Sequence, residues 1–297
     1  MAVIELHKLT KYYGKHKGIK NISFDIKEGE IFGFIGPNGA GKSTTIRTLL
    51  NLIYPTGGKA FIFDKDVVKD SLEIRRNIGY LPSEVNYYDD MKVSDLLQFS
   101  QAFYKKGNPQ RVKELADRLD LNLNKRIEDL SYGNKKKVGI IQALLHEPKL
   151  LILDEPTGGL DPLIRNAFFE ILKEENQRGA TIFFSSHILS EVQSMCSRVA
   201  IIKEGELIKV ESIETLIKNQ FRKVKITFGD QKGRDFNIEG GKNPVWEGNT
   251  LQLLYGGEIG NMLQKLSQVE VKDLLIEEPS LDEVFMHYYE NKEEQTK

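Results

Sequence analysis

The chain has 297 residues, 42 Lys+Arg against 43 Asp+Glu, and a formal net charge of −1. With 40% hydrophobic residues it is not a disordered chain, and its charge balance removes any global electrostatic case for nucleic acid as partner. The length suits one large domain or two smaller ones, and the lone cysteine, Cys196, rules out a disulfide framework and suits a reducing compartment. A spanning helix needs ~20 mostly apolar residues. The longest apolar runs, Leu150–Leu153 and Val199–Ile202 among them, hold only a few, and Met1–His7 carries an acid where a signal peptide needs its apolar stretch. These features describe a soluble, cytoplasmic chain without a transmembrane segment.

In chain order, strands and turns come first. Ile22, Phe24 and Ile26 alternate with polar residues, as in a half-buried strand, and Glu28-Gly29-Glu30 makes a turn. Ile31–Ile35 is apolar throughout, which predicts a strand buried on both faces. A Gly-rich loop follows, then helical spacing from Ser43 to Leu52, then strands at Ala60–Phe63 and Ile78–Leu81. Amphipathic faces at Val93–Tyr104, at Val112–Leu119 and around Val138–Leu145 predict a helical lobe between about residues 90 and 145. From Leu150 the pattern returns to strand (150–153), helix (163–176) and strand (181–185), the alternation of an α/β fold with a largely parallel core sheet. Cys196 is expected on a helix with Val192 and Met195, as a small buried hydrophobe. Strands at 223–228, 250–255 and 271–276, a helix at 259–266 and a last helix capped by Ser280 with Glu283 predict a small α+β domain. The division is 1–215 and 216–297.

The segment Gly36-Pro37-Asn38-Gly39-Ala40-Gly41-Lys42-Ser43, followed by Thr44, has the pattern of a phosphate loop. Glycines let consecutive backbone N–H groups curl around phosphate oxygens, Lys42 bridges the β- and γ-phosphates, and Ser43 ligates Mg²⁺. The strand Leu150–Leu153 ends in Asp154-Glu155, two carboxylates at a strand end where parallel sheets bind ligands. Asp154 is placed to hold Mg²⁺ and Glu155 to polarise the water attacking a γ-phosphate. His187 follows another apolar strand and can contact the γ-phosphate and the water. His7, His16, His146 and His287 have no such context.

With Leu130-Ser131-Tyr132-Gly133-Asn134 the set resembles the ATP-binding subunit of a bacterial ABC transporter, over roughly residues 2–215 and with the motifs in family order. The resemblance implies a P-loop NTPase core with an antiparallel β subdomain and a helical lobe, using ATP and Mg²⁺. It implies a head-to-tail dimer, of this chain or with a paralogue, in which Ser131, Tyr132, Gly133 and Asn134 meet the nucleotide held by the partner's Lys42, Asp154, Glu155 and His187. Tyr13, with Tyr12 as the alternative one position away, matches the aromatic that stacks on adenine. Asp161, in Gly158-Gly159-Leu160-Asp161, belongs to the loop that touches the other subunit. The chain would then act at the cytoplasmic face of the membrane with an integral membrane permease, contacted by the loop Ser83–Met91, whose Tyr87 and Tyr88 are expected to be exposed.

Three positions depart from the family pattern. Tyr132 replaces a Gly, Asn134 replaces a Gln, and Ser83 stands where a Gln usually reaches Mg²⁺ and the attacking water. The ending Glu278-Pro279-Ser280-Leu281-Asp282-Glu283-Val284-Phe285 resembles multidrug and antibiotic exporters more than importers. Two alternatives stay open. A soluble ATPase of this type acting on ribosomes or DNA is disfavoured by a single phosphate loop and by no sustained heptads between Lys42 and Ser131. A non-hydrolysing regulatory subunit is disfavoured by intact Lys42, Asp154, Glu155 and His187. The run Lys135-Lys136-Lys137 is read as surface charge.

Overall fold

A computed structural model describes residues 1–104, 108–218, 222–229 and 236–277. The chain forms two compact units, residues 1–211 and a second beginning at Ser212. The last helix expected from Ser280 and Glu283 lies outside the described residues.

In the first unit the strands are β1 (Ala2–Tyr13), β2 (His16–Lys27), β3 (Ile31–Ile35), β4 (Gly57–Ile62), β5 (Lys65–Asp66), β6 (Ile78–Leu81), β7 (Leu150–Asp154), β8 (Thr181–Ser186), β9 (Arg198–Lys203) and β10 (Glu206–Ser212). The helices are α1 (Lys42–Leu49), α2 (Ser71–Arg75), α3 (Val93–Ala102), α4 (Pro109–Arg118), α5 (Tyr132–Leu144), α6 (Pro162–Gln177) and α7 (Leu189–Met195). One sheet has the order β2-β1-β4-β5 and is antiparallel. The other has the order β10-β9-β3-β8-β7-β6, with β9, β3, β8, β7 and β6 all parallel. Phe24 of β2 stacks on Phe32 of β3 at 5.4 Å, and Phe34 and Phe183 complete an aromatic layer that joins the two sheets.

The expected strand Ile31–Ile35 is fully apolar because β3 is the centre of the parallel sheet. Gly33 lies there because a Cβ would stand 2.6 Å from Val192 and 2.7 Å from Val199, so α7 packs directly on the strand. Helix α1 stops at Leu49 rather than Leu52, because Asn51 turns into the left-handed region (φ 51°) and closes it. Cys196 is not on α7 but follows it in extended conformation; it is buried, and burial pushes its thiol up. Strands β9 and β10 were outside the expected set; β10 is half-buried along its whole length and shows no alternation to read.

Helices α3, α4 and α5 form the expected lobe. Arg111 and Arg118 of α4 pair with Glu175 and Glu174 of α6, Arg111 and Glu175 both being buried. The lysine run is a correction. Lys135 is half-buried, but Lys136 and Lys137 are buried, because α5 turns that side of its first two turns inward.

The second unit has α8 (Ile213–Lys218), β11 (Arg222–Phe228), β12 (Gly241–Glu247), β13 (Thr250–Tyr255), α9 (Ile259–Leu266) and β14 (Val271–Glu277), with sheet order β12-β13-β11-β14. Val224, Ile226, Phe228, Leu251, Leu253, Met262 and Leu266 make its core, and Trp246 stacks on Phe228 at 5.6 Å. Strand β12 escaped the sequence reading because Gly241-Lys242-Asn243-Pro244 is an edge, where a proline costs no ladder bond.

Candidate active site

Three neighbouring parallel strands deliver the site. Strand β8 lies between β3 and β7, with Ser186 opposite Ile35 and Ser185 opposite Asp154. The residues that follow are Gly36 after β3, His187 after β8 and Glu155 after β7, so all three leave the same edge of the sheet.

Gly36 to Gly41 links β3 to α1. A Cβ on Gly36 would lie 2.4 Å from the carbonyl oxygen of Ile202, and Gly41 has φ +107°, so neither position admits a side chain without moving backbone. The turn delivers Lys42 as the first residue of α1, with Ser43 and Thr44 in the same turn, where free N–H groups and the helix dipole favour an anion. Lys42 is 5% exposed; its Nζ donates to the carbonyls of Gly36 at 2.6 Å and Pro37 at 3.1 Å. It also lies 3.0 Å from Glu155 Oε1.

Glu155 is held in the left-handed region, at φ 49°. A glutamate keeps such a backbone only when its surroundings impose it. Here its N–H is shared between the Ser185 carbonyl and hydroxyl, each at 3.2 Å. Glu155 Oε2 contacts His187 Nδ1 at 2.6 Å, so Lys42, Glu155 and His187 form one continuous chain of contacts. With its hydrogen on Nδ1 the imidazole donates to this carboxylate and leaves Nε2 to meet a ligand.

Asp154 has no exposure; Oδ1 accepts from Ser185 Oγ at 2.8 Å, while the buried Oδ2 has no hydrogen-bond partner. An orphaned buried carboxylate oxygen fits a divalent cation. Among the described residues no group of three or more His, Cys, Asp or Glu could hold a metal.

Tyr13 ends β1, is 46% exposed, and carries the Lys11 ammonium 5.3 Å from its ring centre. A Cβ on Gly18 would meet the Tyr13 ring at 2.9 Å and the Thr44 methyl at 3.1 Å, so the ring sits beside the start of α1. Tyr12 is half-buried and pairs with Lys17 in the hairpin.

The signature segment lies elsewhere. Ser131 caps α5, its Oγ accepting from the Asn134 N–H at 3.3 Å. With Tyr132, Gly133 and Asn134 it lines a groove of about 710 Å³ that also includes Asp120–Asn122, Lys125, Lys137 and Gly159–Asp161. Lys42, Asp154, Glu155 and His187 do not line it. A Cβ on Gly133 would lie 2.4 Å from the Gly159 carbonyl, and one on Gly159 would lie 2.4 Å from the Tyr132 ring, so the two loops interlock within one chain. Asp161 caps α6, its Oδ1 accepting from the N–H groups of Leu163 and Ile164 at 3.0 Å each. Asp161→Ala is expected to cost the protein about 1 kcal/mol through the lost cap, measured by urea unfolding.

Two residues escaped the sequence reading. Glu191 of α7 is 4% exposed and accepts from Thr157 Oγ1 at 3.0 Å and Ser186 Oγ at 3.2 Å. It thus ties the loop after Glu155 to the residue before His187. Burial pushes its carboxyl up, against the hydrogen bonds of Thr157 and Ser186. Lys136 is the other. The only sequence signal for either was a charged residue at an inward helical position. Of the two expected exposed tyrosines, Tyr88 is 70% exposed but Tyr87 is not: a Cβ on Gly139 would lie 2.9 Å from its hydroxyl.

A phosphate loop opening α1, with paired acids and a histidine on the same sheet edge, defines a nucleotide-hydrolysing P-loop domain. Residues 19–158 match the ABC transporter family. The bacitracin transport ATP-binding protein BcrA of Bacillus licheniformis is 39% identical over 77% of this chain and 76% of its own. The linearmycin resistance ATP-binding protein LnrL of Bacillus subtilis is 37% identical over 70% of this chain and 68% of its own. A solved dimeric ATP-binding cassette, MJ0796, in a post-hydrolysis state bound to ADP and Pi, superposes with a TM-score of 0.65 at 26% identity, over 71% of this chain and 98% of that one. The chain belongs to the ABC transporter family as an ATP-binding subunit, and its enzymatic activity is that of an ATPase. Among the described residues no helix is long and apolar enough to cross a membrane.

Proposed function

We propose that this chain hydrolyses ATP to drive an exporter, working at the cytoplasmic face of the membrane with a separate permease subunit. The observation that carries the reading is the unbroken contact of Lys42, Glu155 and His187 at one sheet edge. Lys42 takes the β- and γ-phosphates, exchanging its Glu155 contact for them. Gly36 to Ser43 and Thr44 present backbone N–H groups to the same anion. Freed from Lys42, Glu155 accepts a proton from the attacking water. His187, oriented through Nδ1 by Glu155, holds that water through Nε2, or the γ-phosphate when Nε2 is protonated. Asp154 and Ser43 would hold Mg²⁺, which would supply charge neutralisation on the phosphates.

Two chains pair head to tail, as this chain or with a paralogue, so that Ser131 to Asn134 of one meets the nucleotide of the other, with Asp161 at the contact. The separation of the signature groove from Lys42 within one chain supports this. Tyr13 stacks on adenine: Tyr13→Ala is expected to raise the Kd for ATP about 10-fold, with Tyr13→Phe within twofold of wild type, read by fluorescent-nucleotide titration. The permease rests on exposed Tyr88 and on Phe99 and Phe103 of α3 and its end, whose rings meet edge to face at 5.0 Å. The unit that begins at Ser212 serves regulation or dimer contact.

The bacitracin and linearmycin relatives point to export of antibiotic-like cargo. The test is to purify the chain with the membrane protein that accompanies it, reconstitute both in vesicles, and follow ATP-driven movement of bacitracin. Transport away from the ATP-binding face supports the reading. ATP turnover by a chain that associates with no membrane protein overturns it.

A further inference from the structure

Lys136 lies just past the first turn of α5 and has no exposure, yet the chemistry above makes no use of it. Its Nζ donates to the carbonyls of Pro82 at 2.8 Å and Ser83 at 2.9 Å. The Tyr132 hydroxyl, from the start of the same helix, donates to that Ser83 carbonyl at 3.3 Å. A buried ammonium persists only where other groups replace its water. Here backbone carbonyls do so. Burial pushes Lys136 down to about 8, while the charges of Asp154 and Glu155 pull it back up.

Where those carbonyls stand follows from register. Strand β6 runs parallel to β7 with Leu81 opposite Leu153. The chain therefore leaves β6 at Pro82 and Ser83 alongside Asp154 and Glu155. One end of α5 is the signature turn; its inward face holds the loop that flanks the paired acids. The Ser83 carbonyl accepts from both Lys136 and Tyr132.

We propose that Lys136, assisted by Tyr132, is a positioning residue that fastens the loop 82–84 to the signature helix by its backbone. The loop beside Asp154 and Glu155 then moves with the helix end that meets the partner's nucleotide. Of this chain's departures from the family pattern, Tyr132 enters the contact through its side-chain hydroxyl, whereas position 83 enters it through its backbone carbonyl alone. The function rests on the site being the ATP-hydrolysing one described above.

The test uses this chain in complex with its membrane partner. Lys136→Met, Tyr132→Phe and, as reference, Glu155→Gln are compared for kcat, KM for ATP, and amide hydrogen exchange over residues 82–88. Lys136→Met is expected to lower kcat about 10- to 100-fold, with KM within twofold and faster exchange over this segment, because misplacement beside the reacting groups leaves the Lys42 contacts alone. Tyr132→Phe removes one hydroxyl at a half-exposed site and carries the test if Lys136→Met does not fold. It is expected to lower kcat about 2- to 5-fold, with the same exchange signature. Wild-type kcat with unchanged exchange in either folded variant overturns the proposal. A fall in kcat matched by an equal loss of ATP affinity also overturns it. If Glu155→Gln keeps its turnover, the reading of the site fails first. If Glu155→Gln is inactive and Lys136→Met is not impaired, only the present inference fails.

Discussion

Glu155→Gln is expected to lower ATP turnover at least about 100- to 1,000-fold while the protein still binds ATP. The change is isosteric, so the tight turn at φ 49° and the Ser185 bonds to its N–H persist. What disappears is basicity: an amide accepts no proton from water. His187 also changes, because Nδ1 then faces a neutral amide rather than an anion and the contact that orients the ring loses its ionic part. Lys42 loses the negative charge of Glu155 but keeps the Gly36 and Pro37 carbonyls, so nucleotide affinity holds or tightens. Phosphate release and equilibrium nucleotide binding, measured on the same preparation, read the two effects apart. Turnover near wild type would remove Glu155 from the chemistry.

Gly133→Ala is expected to lower turnover about 10- to 100-fold and to leave ATP affinity at Lys42 within twofold. Its Cβ would fall 2.4 Å from the carbonyl oxygen of Gly159. Both atoms belong to backbone, so no rotamer relieves the clash and one loop must retreat. Gly159 is itself pinned, at φ +79° with the Tyr132 ring against it. Displacing either loop therefore opens the groove that carries Ser131, Asn134 and Asp161. Overpacking of this kind costs about 1–3 kcal/mol, which thermal unfolding measures alongside ATPase activity. An unchanged kcat would separate the signature groove from catalysis.

Both variants probe residues that were visible in the sequence, and the reason is chemical. Gly36 to Ser43 is legible because curling backbone around phosphate demands glycine at fixed spacing between a buried strand and a helix. Asp154-Glu155 is legible because an apolar strand that ends in two acids has one face of the sheet edge to serve. The helix boundaries were less so. Leu52 was assigned to α1 because nothing in its hydrophobicity shows that Asn51 has turned left-handed.

Side chains that act through neighbouring strands were not legible at all. Lys136 sits within three lysines that look like a solvated surface, and its burial depends on which face α5 turns toward the loop after β6. Glu191 looks like an ordinary helical acid until Thr157, from the turn after β7, and Ser186, at the end of β8, converge on it. Tyr87 and Tyr88 are adjacent and chemically alike, yet one packs near Gly139 and the other faces out.

By itself the sequence determined the α/β class through the alternation of strands and helices along the chain, and it made the phosphate loop, the paired acids, the histidine and the signature legible because each is written in a few contiguous residues. The tertiary structure alone decided how they meet. Parallel register sets Ser185 opposite Asp154 and Leu81 opposite Leu153, and contacts across strands depend on neighbours that linear order does not name. The opening balance of 42 basic and 43 acidic residues illustrates the limit. It removed the global electrostatic case for nucleic acid as partner, but it did not reveal that one of those lysines, Lys136, is buried against two backbone carbonyls.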